Sequence, residues 1–238
     1  MSPAPTLVKI CGLSTAETLE ASLAVGVDLI GLVHFPKSPR HVDLAHGAAL
    51  SRQARGRAER VALLVDPDDA LVEAVIAALD PDWLQLHGAE SPERVAALRL
   101  RTGRPVMKAL GIATVDDLVR AARYAGVADR LLFDAKPAPG AVLPGGNGHA
   151  FDWSLLEGRG RDDPFMLSGG LTPETVAEAL AVTAAQAVDV SSGVESSPGR
   201  KDPDRIAAFV AVARATAGSI KAAKAASEPQ IAPEARRA

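Results

Sequence analysis

Short aliphatic runs recur along this chain, and their number is the feature that most constrains its fold. They fall at residues 7–11, 29–33, 61–65, 83–86, 105–109, 130–134, 164–167 and 187–190, eight in all. They are continuous rather than alternating, as strands buried on both faces are. Most are followed by helical spacing. Val72, Val75, Ile76 and Leu79 fall at i, i+3, i+4 and i+7, and so do Val115, Leu118, Val119 and Ala122, and Ile206, Phe209, Val210 and Ala213. That spacing lays apolar side chains along one helix face. Ser14 with Glu17 and Thr114 with Asp117 read as capping boxes. Thr172-Pro173 and Asp202-Pro203 each place a cap residue before a proline.

Eight strand–helix units predict an α/β protein folded as a single-domain (β/α)8, or TIM, barrel. A doubly wound open sheet is the alternative, but its first turn often carries G-x-G-x-x-G, and the first strand here runs into ICGLST. The length of 238 residues suits one barrel. Aromatic residues make up only 3%, which counts against an antiparallel sandwich. A hydrophobic content of 47% with a net charge of −3 excludes wholesale disorder. An isoelectric point near 6.0 argues against nucleic acid as a partner. The expected boundaries are an N-terminal extension over 1–6, the barrel over 7–218, and a frayed or disordered C-terminal extension over 219–238.

The chain has one cysteine, so no intramolecular disulfide forms, and a reducing, cytoplasmic location is expected. The N-terminus carries no basic segment followed by a long apolar one. No run approaches the roughly 18 apolar residues of a membrane span, so no membrane partner is expected.

Barrel chemistry sits at the C-terminal ends of the strands, and those ends supply the candidate residues. Strand one ends at Cys11-Gly12, strand four at His87-Gly88 and strand six at Asp134; strand five carries Lys108, and strand eight carries Asp189. The second loop includes Arg40, whose planar guanidinium suits a carboxylate. Strands seven and eight run into Ser168-Gly169-Gly170 and Ser191-Ser192-Gly193. Glycine turns there are a common barrel phosphate site, which makes Gly169, Gly170, Ser192 and Gly193 the phosphate candidates. Cys11 reads either as a base or as a small buried hydrophobe. Lys9, two residues earlier on the same strand face, would supply positive potential to a thiolate. Asp134 closes an apolar strand, partly withdrawn from water, a setting that suits a proton donor and equally a cap or ion pair. His87 is open between base, ligand-binding group and hydrogen-bonded support. No cluster with metal-ligand spacing surrounds it, so no metal is expected. Residues 137–148 are Pro or Gly at seven positions of twelve and are expected to form a long loop over the site.

KICGL at 9–13, FPKSPR at 35–40, LQLHG at 84–88, LLFD at 131–134, FDWS at 151–154, LSGGL at 167–171, VDVSSGVE at 188–195 and PGRKD at 198–202 resemble the phosphoribosylanthranilate isomerases. The resemblance runs in order over about 7–217. It implies an Amadori rearrangement in tryptophan biosynthesis with no cofactor, with Cys11 as general base and Asp134 as general acid. It also implies that Arg40 holds the anthranilate carboxylate and that the two glycine turns hold the phosphate. His87 and Asp189 are taken as further substrate-binding residues, the partner is a small phosphorylated substrate, and a monomer or homodimer is expected. His34 departs from the aromatic or apolar residue expected before FPKSPR and is expected to alter the pocket wall. Isomerases of histidine synthesis carry aspartates ending strands one and five; here strand one ends in Cys11 and strand five reads VMKALG. A phosphate-binding module without catalysis is the non-enzymatic alternative, against which Cys11 and Asp134 both stand.

Overall fold

The computed structural model describes residues 6–137, 140, 143, 145, 151–161 and 163–227. The aliphatic runs form eight parallel strands: β1 (Leu7–Cys11), β2 (Leu29–Val33), β3 (Glu59–Leu64), β4 (Trp83–Leu86), β5 (Val106–Ile112), β6 (Arg130–Ala135), β7 (Phe165–Leu167) and β8 (Ala187–Val190). They pair in chain order, and β8 returns to β1 with Leu7 opposite Ala187 and Lys9 opposite Asp189, which closes the barrel. A two-stranded hairpin, β9 (Glu195–Ser197) with β10 (Arg200–Lys201), follows the eighth strand.

Alternation along the strands divides the side chains. One set, including Leu29, Val61, Met107, Leu132 and Met166, fills the lower barrel, and Cys11, Val33 and Leu63 form an upper cluster. The opposite set, including Ile10, Ile30, Leu84, Phe133 and Leu167, joins the larger core shared with the helices. Most interior positions are thus aliphatic, and the buried polar exceptions Lys9, Gln85 and Asp189 stand out.

The helices are α1 (Ala16–Ala24), α2 (Leu44–Ala54), α3 (Asp69–Leu79), α4 (Pro92–Thr102), α5 (Val115–Ala121), α6 (Val176–Thr183) and α7 (Pro203–Ser227). The segment between β6 and β7 holds two 3-10 turns, Trp153–Leu156 and Arg159–Arg161, among its described residues. Several local expectations shift. Thr15, not Ser14, caps α1, accepting from the Thr18 N–H. The Thr114–Asp117 capping box of α5 is present. That helix turns Val115 and Val119 to solvent and buries Asp117, Leu118 and Ala121, because Asp117 accepts hydrogen bonds at the head of the helix. Thr172 caps a turn, and the regular helix begins later, at Val176. Helix α7 passes Gly218 and reaches Ser227; the part of the expected tail from 228 onward, like most of 137–148, lies outside the described residues. No helix among the described residues is long and apolar enough to cross a membrane.

Candidate active site

Cys11, Arg40, His87, Asp134 and Asp189 line one cavity at the C-terminal rim, together with Val33, Phe35, Val65, Ser168 and Ser191. Four residues singled out by their place on the strands, and Arg40 from the second loop, therefore face the same space. The four phosphate candidates do not line it. They sit one or two residues further along the chain, in the turns that follow Ser168 and Ser191. His34 does not line it either; its Nδ1 lies 2.9 Å from the Val42 carbonyl and its ring rests against His41.

At the centre of the barrel, Lys9 donates to Asp189 Oδ1 at 2.8 Å, and the Ser168 hydroxyl lies 3.2 Å from Asp189 Oδ2. Both ionised side chains are buried. Burial disfavours the Lys9 ammonium, but Asp189 and the Cys11 sulfur outweigh this and hold its pKa above the usual value. Burial pushes the Cys11 thiol up. Lys9 and Lys201 pull it back, and Asp189 adds to the rise. Cys11 therefore rests as a thiol, and the cation expected from Lys9 is present but largely neutralised by its own partner. Gly31 makes room for this arrangement: a β-carbon there would stand 2.9 Å from Cys11 Sγ and 3.2 Å from Lys9 Nζ.

Arg40 is buried and forked onto Glu195, with Nε to Oε1 at 2.7 Å and Nη2 to Oε2 at 2.8 Å. Lys201 donates to the same Glu195 oxygen at 2.7 Å and to the Ser191 carbonyl at 2.9 Å. The Ser191 hydroxyl in turn donates to the Cys11 carbonyl at 3.0 Å. Burial would raise the Glu195 carboxyl, but Arg40 and Lys201 hold it below the usual range. Gly12, at φ +78°, lets the Arg40 stem pass; a β-carbon there would be 2.5 Å from Arg40 Cδ. Glu195 and Lys201 were missed as functional candidates. They lie within VDVSSGVE and PGRKD, but nothing in local sequence says that a short hairpin folds them back onto Arg40.

Across the cavity, Asp134 Oδ1 accepts from the Ala135 N–H at 2.8 Å, and Oδ2 faces His87 Nε2 at 3.4 Å. The Gln85 amide nitrogen is 3.2 Å from His87 Nδ1. With that amide donating, the neutral ring carries its proton on Nε2, toward Asp134. Gly145, from the glycine-rich segment, lies against this pair, and a β-carbon there would collide with Asp134 Oδ2 and His87 Nε2.

In the turns after β7 and β8, Gly169 and Gly170 both have positive φ, +82° and +69°. Among the described residues their N–H groups donate no hydrogen bond. Gly193 is pressed against the Leu171 carbonyl, which leaves no room for a side chain and packs the two turns together. No group of three or more His, Cys, Asp or Glu side chains among the described residues is placed to hold a metal ion.

A closed (β/α)8 barrel that gathers ionisable side chains and two glycine turns at its C-terminal rim belongs to the class of barrel enzymes acting on small molecules. The family model described as N-(5'-phosphoribosyl)anthranilate (PRA) isomerase matches residues 8–212. The chain belongs to this family, and is an isomerase. It is 62% identical over 222 residues to the N-(5'-phosphoribosyl)anthranilate isomerase of Azorhizobium caulinodans, covering 93% of this chain and 94% of that one. Phosphoribosyl anthranilate isomerase from Thermotoga maritima has a similar structure, with a TM-score of 0.78 at 34% identity, covering 88% of this chain and 99% of that one. A structure of the isomerase in complex with reduced 1-(o-carboxyphenylamino)-1-deoxyribulose 5-phosphate matches with a TM-score of 0.76 at 34% identity and the same coverage.

Proposed function

We infer that this enzyme converts N-(5-phosphoribosyl)anthranilate into 1-(2-carboxyphenylamino)-1-deoxyribulose 5-phosphate, the isomerase step of tryptophan biosynthesis. The observation that carries the reading at the level of residues is the placement of Cys11 and Asp134 on one cavity, from β1 and β6, with Arg40 on its wall.

Asp134 protonates the furanose ring oxygen. The bond from that oxygen to C1 breaks, and the anthranilate nitrogen supplies the electron pair that forms the C1–N iminium. The Cys11 thiolate then removes the C2 proton, and the C2–H electrons shift toward C1–N to leave an enolamine. Loss of the proton on the C2 oxygen and protonation of C1 give the ketone. Acid and base reach the sugar from different strands, so neither blocks the other. The buried thiol must first lose its proton, which Lys9 and Lys201 favour.

Arg40 holds the anthranilate carboxylate. Glu195, shared with Lys201, orients its guanidinium. At the other end of the substrate, the unengaged N–H groups of Gly169 and Gly170, with Ser192 and Gly193, take the phosphate. Anchoring both ends fixes the sugar between Cys11 and Asp134. Asp189, beside Ser168 and Ser191 on the cavity wall, binds the sugar hydroxyls, and His87 binds the substrate near Asp134; that both line the cavity supports these roles. Residues 7–218 form the catalytic unit, acting as a monomer or homodimer. The need for a reduced Cys11 supports a cytoplasmic setting.

The test is an assay with freshly generated phosphoribosylanthranilate, following the loss of its anthranilate-type fluorescence, run beside the aminoaldose substrate of histidine synthesis. Turnover of the first alone is expected. Turnover of only the second, or of neither, overturns the reading.

A further inference from the structure

Lys108 and Glu90 form an ion pair that the proposed reaction does not use. The neighbours of Lys108 on β5, Met107 and Ala109, face the barrel interior, so alternation sends Lys108 outward beneath the helix layer. Its side chain is 1% exposed and that of Glu90 2%, with Nζ 2.7 Å from Oε2. Lys108 also donates to the Gly88 carbonyl at 2.7 Å and, at 3.3 Å, to that of Leu86. Glu90 Oε1 accepts from the Asp66 N–H at 2.9 Å, and both its oxygens accept from the Gly88 N–H, at 3.1 and 3.0 Å.

The residue between Leu86 and Gly88 is His87. Its own N–H is held by the Leu64 carbonyl at 2.9 Å, so the peptide groups on either side of it are tied down. The turn is cramped. Asp66 sits at φ +45°, and a β-carbon on Gly88 would run into the Asp66 carboxyl. A buried ion pair is an expensive way to fill space, because apolar side chains of the same volume often serve stability as well or better. What these ions supply and apolar groups cannot is hydrogen bonds to the backbone groups of this partly buried turn, which fix its conformation. The Tyr124 hydroxyl adds one more, donating to the Glu90 carbonyl at 2.9 Å.

We propose that Lys108 and Glu90 are positioning residues that set the His87 ring toward Asp134, and so act on the isomerisation from outside the barrel without touching substrate. The proposal rests on the acid role given to Asp134 above.

Glu90→Gln keeps the volume and an acceptor while removing the charge. In the full-length enzyme it is expected to lower kcat about tenfold, within the usual coupling range of neighbouring side chains. KM for phosphoribosylanthranilate is expected to change less than about twofold, since no group binding the substrate ends is disturbed. In a His87→Ala background the same substitution is expected to have almost no further effect on kcat. Nitrogen chemical shifts of the His87 ring are expected to report the Nε2-protonated form in the unaltered enzyme and a mixture of ring states in Glu90→Gln. Lys108→Met is expected to act in the same way; should it fail to fold, Glu90→Gln carries the test. A lowered melting temperature with kcat intact, unchanged His87 shifts, or a full loss of rate persisting without His87 each overturns the proposal. An unaltered enzyme that does not turn over phosphoribosylanthranilate overturns the functional reading instead, and the His87 shifts still decide whether the ion pair sets the ring.

Discussion

Around Cys11 the cavity wall is held by buried ion pairs, and around Asp134 by a backbone N–H and a longer contact with His87. On the first side, Lys9, Asp189, Glu195, Lys201 and Arg40 form buried ion pairs at 2.7–2.8 Å, tied through Ser191 to the Cys11 carbonyl. On the second, Asp134 meets the Ala135 N–H and, at a longer 3.4 Å, His87, and Gly145 lies against both. The difference fits the two tasks proposed for these residues. A buried thiol gives up its proton only where cations offset the cost of burying its anion. A carboxylic acid that must deliver a proton gains nothing from a strong cationic partner, which would hold it ionised. The cations on the Cys11 side thus offset part of the cost of burying its anion, although the thiol still stands above its usual value, whereas Asp134 meets no Lys or Arg among the described residues.

Removing either reacting group breaks the comparison outright. Cys11→Ala and Asp134→Asn are each expected to lower kcat by about 10²–10⁴, the usual contribution of a positioned acid or base. Circular dichroism is expected to stay that of the unaltered protein. Near-normal turnover in either variant would remove that residue from the mechanism.

Lys9→Met tests whether charge is what separates the two sides. The Cys11 thiol already lies above its usual value because of burial, so the thiolate fraction, and with it kcat, is expected to rise with pH through the alkaline range. Losing Lys9 takes away a cation and leaves Asp189 to repel the thiolate, so this limb is expected to move to higher pH. The rate loss should then be nearly uniform up to about pH 9 and shrink only at higher pH. An unpaired Asp189 is also expected to cost stability of about 3–5 kcal/mol, the typical price of breaking a buried pair, which denaturant unfolding measures. A pH profile that scales down without moving would show that Lys9 supports the fold and not the base.

Arg40→Ala is a narrower probe of the same side. It removes the fork held by Glu195 and is expected to raise KM for phosphoribosylanthranilate with a smaller change in kcat. A constant KM would place the substrate carboxylate elsewhere.

The two sides also differ in how far sequence reveals them. Cys11, His87, Asp134 and Asp189 follow from strand ends, because parallel strands of a closed barrel all deliver their last residues to one rim. The strand count worked for the same reason: aliphatic runs buried on both faces have little other use. Glu195 and Lys201 are invisible in this way. Their role depends on a short hairpin, Glu195–Ser197 with Arg200–Lys201, folding back onto Arg40 from 155 residues away. Lys108 was legible as a strand-end residue but not as an outward-facing one, since β5 extends to Ile112 and its register sets the face. Val115 and Val119 fit an apolar face by spacing, yet the capping carboxylate of Asp117 fixes the rotation of that short helix instead. In each case a distant contact overrides a local pattern.

The smallest effect expected is at the end of α7, which touches neither side of the cavity. Its inward stripe is Ile206, Phe209, Val210, Ala213 and Ala217, all buried, whereas Gly218 and Ser219 are exposed. Ala217 is the last residue of that stripe among the described side chains, and the Arg214 contact with Asp28 also lies before the cut. Ending the chain after Gly218 leaves these five side chains in place. Both kcat and the melting temperature are expected to match those of the full chain. A fall of several degrees, which for a domain of this size corresponds to roughly 1–2 kcal/mol, would show that residues beyond 218 pack against the barrel and would extend the catalytic unit to include them.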